Sequence, residues 1–310
     1  MSVVEQMRVA WRNRADLRWT GYLLAIGSAA AVAATSVVRK TISSEVNPAT
    51  FSVWWYGLAG LYGWILTAAR GQLHVAAGIR RRWQPTAVLV LSNAVAAILF
   101  YTEIDLANPA LVSFFGRLRT VYTVLLGVLL LREHLNRQEW IGAGITILGT
   151  LLIAYRGGAV LNFVFALALV ENFLMAVATI AAKSAVKYVS PTVLVGYRGV
   201  LISLLILIYA LVSGQWQSVS WSTWWVIAVG ALGGPFLGHT MYYAALARID
   251  AGKVAVLAAI QPVFVTLYTA LVFGTVPTAR QAVGGILTVA GVLVVSVARL
   301  KKAASSGVSR

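Results

Sequence analysis

Between Phe100 and Leu131 the chain reads FYTEIDLANPALVSFFGRLRTVYTVLLGVLLL, placing Glu103, Asp105, Arg117 and Arg119 within or beside two otherwise apolar stretches. A charge at the centre of a bilayer costs at least about 2.5–3.5 kcal/mol, so four in one hairpin either neutralise one another or handle a ligand. Residues two apart on a helix point about 200° apart, so Arg117 and Arg119 cannot share a face, and neither can Glu103 and Asp105. Arg119 has Tyr122 one turn later on its own face, and its guanidinium can fork onto a carboxylate or phosphate, which suits an anionic or zwitterionic metabolite. Glu103 is expected to pair with Arg117 or Arg119 across the short Asn108-Pro109 connection, and Asp105 to reach water at the outer end.

Other polar residues stand in apolar surroundings. Glu171, in VENFLMA, falls near the middle of its segment, where a carboxyl in low dielectric can exchange a proton near neutral pH or be held permanently by an Arg or a backbone group. Arg198, in VGYRGV, either contacts a ligand or snorkels to the interface. His239 follows the break Gly233-Gly234-Pro235, a candidate hinge, and is either a packing residue or a ligand contact. Pro262 interrupts another helix and leaves the carbonyl near Ala258 without its usual partner. Tyr101 and Tyr243 are candidates to line a central cavity, while Trp54, Trp55, Trp64, Trp216, Trp221, Trp224 and Trp225 read as interfacial anchors.

The elements that must position these groups are membrane helices. The 310 residues are 60% hydrophobic and 11% charged, outside the range of a soluble domain. Cutting at charged, Pro-bearing and Gly-bearing breaks yields ten segments of spanning length: Gly21–Ser43, Pro48–Ala69, Thr86–Leu106, Asn108–Leu131, Gln138–Tyr155, Val160–Val186, Pro191–Ser213, Trp221–Ala247, Ala251–Gly274 and Ala279–Ala298. With the N-terminus inside, 18 Lys and Arg fall on the inner side and only Arg39, Lys40, Arg156 and Arg280 outside, which sets both termini in the cytoplasm. Much of the +16 net charge is therefore an orientation signal and membrane-surface charge, not a nucleic-acid footprint. The absence of cysteine excludes disulfides and thiolate metal sites, and three scattered histidines leave no metal site and no cofactor to expect. No phosphate-cradling Gly-rich loop with a Lys is present, and no inter-helix loop is long enough for a catalytic domain, so no enzyme is expected.

The halves repeat. Ala31 onward aligns with the sixth segment at an offset of 143, placing Lys40 over Lys183 and Pro48 over Pro191. WIGAGITILGTLLI aligns with AVGGILTVAGVLVV at 142, placing Gly142 over Gly284 and Gly149 over Gly291, and the same offset places Tyr101 over Tyr243 and Arg119 over Gln261. Five crossings per repeat is odd, so the second half is inverted, and inverted halves around a midplane site suit alternating access. The stripe Gly142, Thr146, Gly284 and Thr288 packs helices closely, either within the chain or between protomers of a homodimer.

LLGVLLLREHLNRQEWIGAGITILGTLLIAY and YYAALARIDAGKVAVLAAIQPVFVTLYTALVFGTVPTARQAVGGILTVAGVLVV carry a pattern of small-residue helix start, mid-helix Pro262, leucine-rich exit, acidic turn at Arg132-Glu133, and a glycine-spaced helix. In this order and duplication the sequence resembles the ten-helix drug/metabolite transporter superfamily, and within it the EamA-like transporters. Thr120 stands in place of a first-repeat proline, and Gly274-Thr275 in place of a second acidic turn. The expected fold is all-α and polytopic, with ten transmembrane helices in two inverted five-helix repeats, 21–156 and 157–299, between cytoplasmic segments 1–20 and 300–310. The resemblance implies a multi-pass protein of a bacterial inner membrane, a monomer or homodimer. It would act as a secondary active transporter exporting a small polar metabolite, an amino acid or related compound, with protons as a candidate coupling ion. Alternatives are a carrier of anionic, phosphate-bearing or nucleotide-linked metabolites, favoured by the midplane arginines, and a flippase-type subunit. The candidate site comprises Arg119, Gln261, Tyr122, Tyr101, Tyr243, Glu171, Arg198 and His239, with Glu171 and Glu103 as protonation sites and Pro262, Pro235 and Gly234 as kinks or hinges.

Overall fold

The computed structural model describes residues 3–71, 83–131, 136–154, 158–185, 189–246, 248–249, 254 and 257–307. Arg80–Arg82, Arg132-Glu133, Arg156, Lys187, Lys253 and Arg310 lie outside them. Every regular element described is helical: α1 (Val3–Thr41), α2 (Pro48–Ala69), α3 (Trp83–Leu106), α4 (Pro109–Phe115), α5 (Leu118–Leu131), α6 (Arg137–Ala154), α7 (Gly158–Ala185), α8 (Pro191–Val212), α9 (Trp221–Ala231), a π-helical stretch Leu232–Gly238, α10 (His239–Leu246), α11 (Gln261–Phe273) and α12 (Ala279–Gly307). Among the described residues five helices are long and apolar enough to cross a membrane by length and composition. The remaining crossings are shorter, interrupted, or diluted by polar and aromatic residues. The chain is an all-α polytopic membrane protein.

Local signals set the helix starts. Asn47 and Asn108 cap α2 and α4, each side-chain oxygen accepting a backbone N–H at 2.8 Å, with proline in the next position, where its missing N–H is harmless. Asn136 and Glu139 form a reciprocal capping box at 2.8 Å before α6, and Thr278 and Gln281 repeat it before α12, 142 residues later. α11 stops at Gly274, whose φ of +64° is a left-handed conformation that favours glycine. The basic stretch before the first apolar segment does not form a separate element. Met1–Thr20 contains no Gly or Pro, and α1 runs through it from Val3 into the span Trp19–Thr41.

One segment carries a break that its sequence does not mark with proline: Asn108–Leu131 divides into α4 and α5 at Gly116-Arg117, although Thr120 takes the place of the second repeat's proline. The break read at Gly233-Gly234-Pro235 takes the form of the π-helical stretch Leu232–Gly238, because the proline has no N–H for the helical ladder.

Helices of one repeat pack on those of the other: α2 on α8, α3 on α7, α4 on α11, α6 on α12, and α1 on the α9–α10 unit. Close approach requires glycine at the α6–α12 crossing. A Cβ at Gly291 would lie 2.5 Å from the Thr146 backbone nitrogen and 2.6 Å from the Gly142 carbonyl oxygen. The small-residue stripe therefore packs within the chain.

At the end of the bundle distal to the termini, polar groups tie the connections together. Arg39, fully buried, donates to the Val46 carbonyl at 2.7 Å and pairs with Asp105, while its guanidinium lies 5.0 Å from the Phe51 ring centroid. Lys40 donates to the carbonyls of Ile104 and Asp105 at 3.0 and 2.8 Å. Asp105 therefore does not simply reach water: Arg39 and Lys40, in the last turn of α1, both reach the end of α3. Bonds between the repeats complete this end, Asn47 to Gln217 at 2.8 Å, Asn108 to Thr275 at 3.1 Å, and Thr223 to Glu45.

Removing one partner of a buried ion pair costs about 3–5 kcal/mol, because the other charge is left uncompensated. Asp105→Ala is expected to lower the melting temperature of the detergent-solubilised protein accordingly. Gly291→Val is expected to cost about 3 kcal/mol by overpacking, read from the same melt. Gly144→Val, on α6 where an added Cβ meets nothing within 4 Å, is expected to leave the melt unchanged.

Candidate functional site

The two breaks in the fourth helices of the repeats come together. In the first repeat α4 closes at Gly116, whose N–H donates to Val112 at 2.9 Å, and a turn carries Arg117 before α5 resumes. In the second, a turn at Ala259-Ile260 precedes α11, with Pro262 in its first turn, where proline is tolerated. The carbonyl expected to be freed near Ala258 is capped from the other repeat. Arg117 Nη1 donates to the Ala258 carbonyl at 3.1 Å, and Nη2 donates to Gln261 Oε1 at 3.0 Å. Arg117, not Arg119, is thus the partner of Gln261. It does not pair with Glu103, because the turn directs its guanidinium across the repeat interface.

A cavity of about 100 Å³ adjoins this junction. Of the residues singled out in the sequence, Arg119, Gln261, Tyr101, Glu171, Arg198, His239 and Pro235 line it. Arg119, on α5, faces Glu171, on α7, with Nη2 and Oε1 3.8 Å apart, an ion pair too long to be a hydrogen bond. Arg198 is buried within α8 and does not snorkel. Its guanidinium lies 5.6 Å from the Tyr56 ring centroid, in cation–π range, and 3.5 Å from Asn93 Oδ1. Tyr101 is fixed edge-on against Phe51 at 4.8 Å and Phe100 at 5.3 Å.

Five candidates do not line the cavity. Tyr122 packs edge-on against Phe173 of α7 at 5.7 Å, because α5 turns that face toward its neighbour. Tyr243 joins an apolar cluster with Phe236 and Leu89, so the Tyr101/Tyr243 symmetry of sequence is not a symmetry of the cavity. Gly234 lies against α1, where a Cβ would meet Thr35 Oγ1 at 2.3 Å. Pro262 is buried at the start of α11. Glu103 pairs with neither arginine: it is buried on α3, and its Oε1 has no hydrogen-bond partner. Among the described residues no three His, Asp or Glu side chains converge on a metal site.

The cavity also takes residues that the sequence reading passed over. Trp55 is buried at 1% exposure, stacked on Phe51 at 4.9 Å, and lines the cavity; it is not an interfacial anchor. The signal was present, since an offset of 143 places Trp55 over Arg198. Trp64 packs edge-on against Tyr197 at 4.8 Å. Trp221 and Trp225 remain exposed, as anchors are. Thr35, Ser36, Tyr56 and Ser113 add to the polar lining, and so does Arg117, a candidate partner of Glu103 in the sequence.

A model of the EamA-like transporter family matches residues 19–155 and again 162–297. The chain is 25% identical over 243 residues to an uncharacterized transporter of Synechocystis sp., covering 73% of this chain and 68% of that protein. It is 26% identical over 219 residues to an uncharacterized transporter of Archaeoglobus fulgidus, covering 68% and 75%. A protein solved by crystallography superposes with a TM-score of 0.61 at 20% identity, over 92% of this chain and 97% of that one, a likeness of fold. With the family pattern matched twice on a duplicated helical bundle, the chain belongs to the EamA-like transporter family and is a membrane transporter.

Proposed function

We propose that the chain is a secondary active transporter that moves a small polar metabolite, an amino acid or related compound, by alternating access around the cavity beside Arg119 and Glu171. The observation that carries this reading is the meeting of two interrupted helices, one from each repeat, beside a cavity containing ionisable groups. The carbonyl freed at Ala258 is held by Arg117, and the position of the two breaks between inverted repeats is where a rocking motion alternately opens a site to either side. The bonded distal end supports one of the two states such a cycle requires. Export is the direction the family implies, and Glu171 is the group that would couple transport to protons. The excess of Lys and Arg on the side of the termini supports both termini being cytoplasmic, and a bacterial plasma membrane is what the family implies.

Purified protein in liposomes is expected to show saturable, pH-sensitive counterflow of at least one metabolite from a panel of amino acids, organic anions, phosphorylated metabolites and amines. Absence of counterflow across the panel sinks the reading. Arg119→Ala is expected to abolish counterflow while the protein remains monodisperse; unchanged transport removes Arg119 from the site. The chain contains no cysteine, so orientation can be read by single-cysteine labelling. Arg280→Cys is expected to react with an impermeant maleimide from outside the cell, and Arg310→Cys only after permeabilisation.

A further inference from the structure

The buried cations differ in how completely they are engaged. Arg117 donates from both terminal nitrogens, to Ala258 and Gln261, and Arg39 donates from both of its own, to Val46 and Asp105. Arg119 is different. It meets Glu171 only at 3.8 Å, and its side chain is 37% exposed where it lines the cavity; its Nε has no hydrogen-bond partner, as is also true of Arg39 and Arg198. Arg198, which also lines the cavity, is buried, donates to Asn93 at 3.5 Å and lies over the Tyr56 ring, so it offers a solute less access than Arg119 does. Glu171, in contrast, has a side chain only 3% exposed. A guanidinium with unused donors therefore borders the cavity, and its present partner is a carboxylate held at the edge of contact.

We propose that the transported solute bears a carboxylate that displaces Glu171 from Arg119, and that the displaced Glu171 takes up one proton. The inference rests on the reading of the chain as a carrier and specifies its solute class and coupling. A carboxylate is the group already accepted there, and the fork of Arg119 suits it. The solute's body would meet Trp55, Tyr56, Phe100 and Tyr101, which line the same cavity. Glu171 is faced by Arg119 from α5, by Arg117 from the turn before it, by Glu103 from α3 and by Tyr56 from α2; Tyr101 of α3, Arg198 of α8 and His239 of α10 line the same cavity, and Tyr122 of α5 packs on α7 at Phe173. α6 brings only Arg137 and Glu139, in its first turn. Once the solute occupies Arg119, a buried carboxylate beside Glu103 lacks its closest counter-ion, and a proton from water neutralises it.

The exchange balances. The solute carboxylate replaces the Glu171 carboxylate on Arg119, one proton from water binds a Glu171 oxygen, and no bond to carbon changes. For a solute whose only charge is the carboxylate, the loaded site has the same net charge as the empty one, so the anion and proton move together without net charge transfer, driven by the solute and pH gradients and not by the membrane potential; a zwitterionic amino acid would carry one positive charge with it. Such a symport exports an acid that has accumulated inside, its outward gradient carrying a proton with it.

The test uses the full chain in detergent, with monocarboxylates from butyrate to phenylacetate, their matched amides and amines, and inorganic phosphate. Binding is read by thermal shift and proton uptake by a pH indicator in weak buffer. The acids are expected to bind and the amides and amines not, with about one proton taken up per acid and affinity falling about tenfold per pH unit where exchange is complete. Glu171→Gln, isosteric and neutral, is expected to bind the acids without proton uptake or pH slope. Arg119→Lys, which keeps the charge and loses the fork, is expected to bind them about tenfold more weakly. Binding of amides or amines equal to that of the acids, binding of phosphate alone, binding of nothing, or acid binding without proton uptake each overturns the inference. Counterflow of a neutral or cationic solute would leave the carrier reading standing while removing this one; absence of all counterflow removes the carrier reading itself.

Discussion

Arg117 reaching across the repeat interface to the Ala258 carbonyl and Gln261 is the contact on which the centre of the molecule depends. An interrupted helix in a membrane leaves backbone groups that neither lipid nor the helix itself can satisfy, each costing several kcal/mol if orphaned. Here a side chain from the turn that breaks the fourth helix of one repeat satisfies a carbonyl at the break in the other. The second repeat's interruption is thus stabilised from the first, whose Arg117 finds its own acceptors there, and the cavity lies beside the pair.

The charged residues of the membrane region then form a graded series. Arg39 and Asp105, with Lys40 on the neighbouring carbonyls, lock the distal end of the first repeat. Arg117 ties the two repeats at their centre. Arg119 and Glu171 are only loosely engaged, and they are the pair that borders the cavity. A fully bonded buried charge stabilises one arrangement, whereas a partly bonded one leaves binding capacity for a ligand.

The packing between repeats follows the same economy of contact. Gly142 and Gly149 of α6 meet Gly291 and Gly284 of α12, and Gly60 of α2 meets Gly199 of α8, backbone against backbone. Without a hydrophobic driving force between helices in lipid, such close approach supplies association through van der Waals contact. Because homologous helices supply both sides, the halves are related by a pseudo-two-fold, the arrangement from which two nearly equivalent packings arise.

Much of this was legible in the order of residues. Apolar segment length, the Asn-Pro helix starts, the duplicated glycine spacing and the offset of 142–143 determined an all-α bundle of inverted repeats, because these are local or periodic properties of the chain. They also brought Arg119, Glu171, Arg198 and Gln261 to one region, and Pro262 foretold the freed carbonyl near Ala258. What the sequence could not decide was pairing. Glu103 looked like the partner of Arg117, Asp105 like a rim residue, and Trp55 like an anchor. Partner choice instead depends on where a turn at Gly116-Arg117, unmarked by proline, directs a side chain, and on which face of α2 meets α8. Spacing along one helix limits which residues share a face, but only the packing of ten segments determines what each face meets.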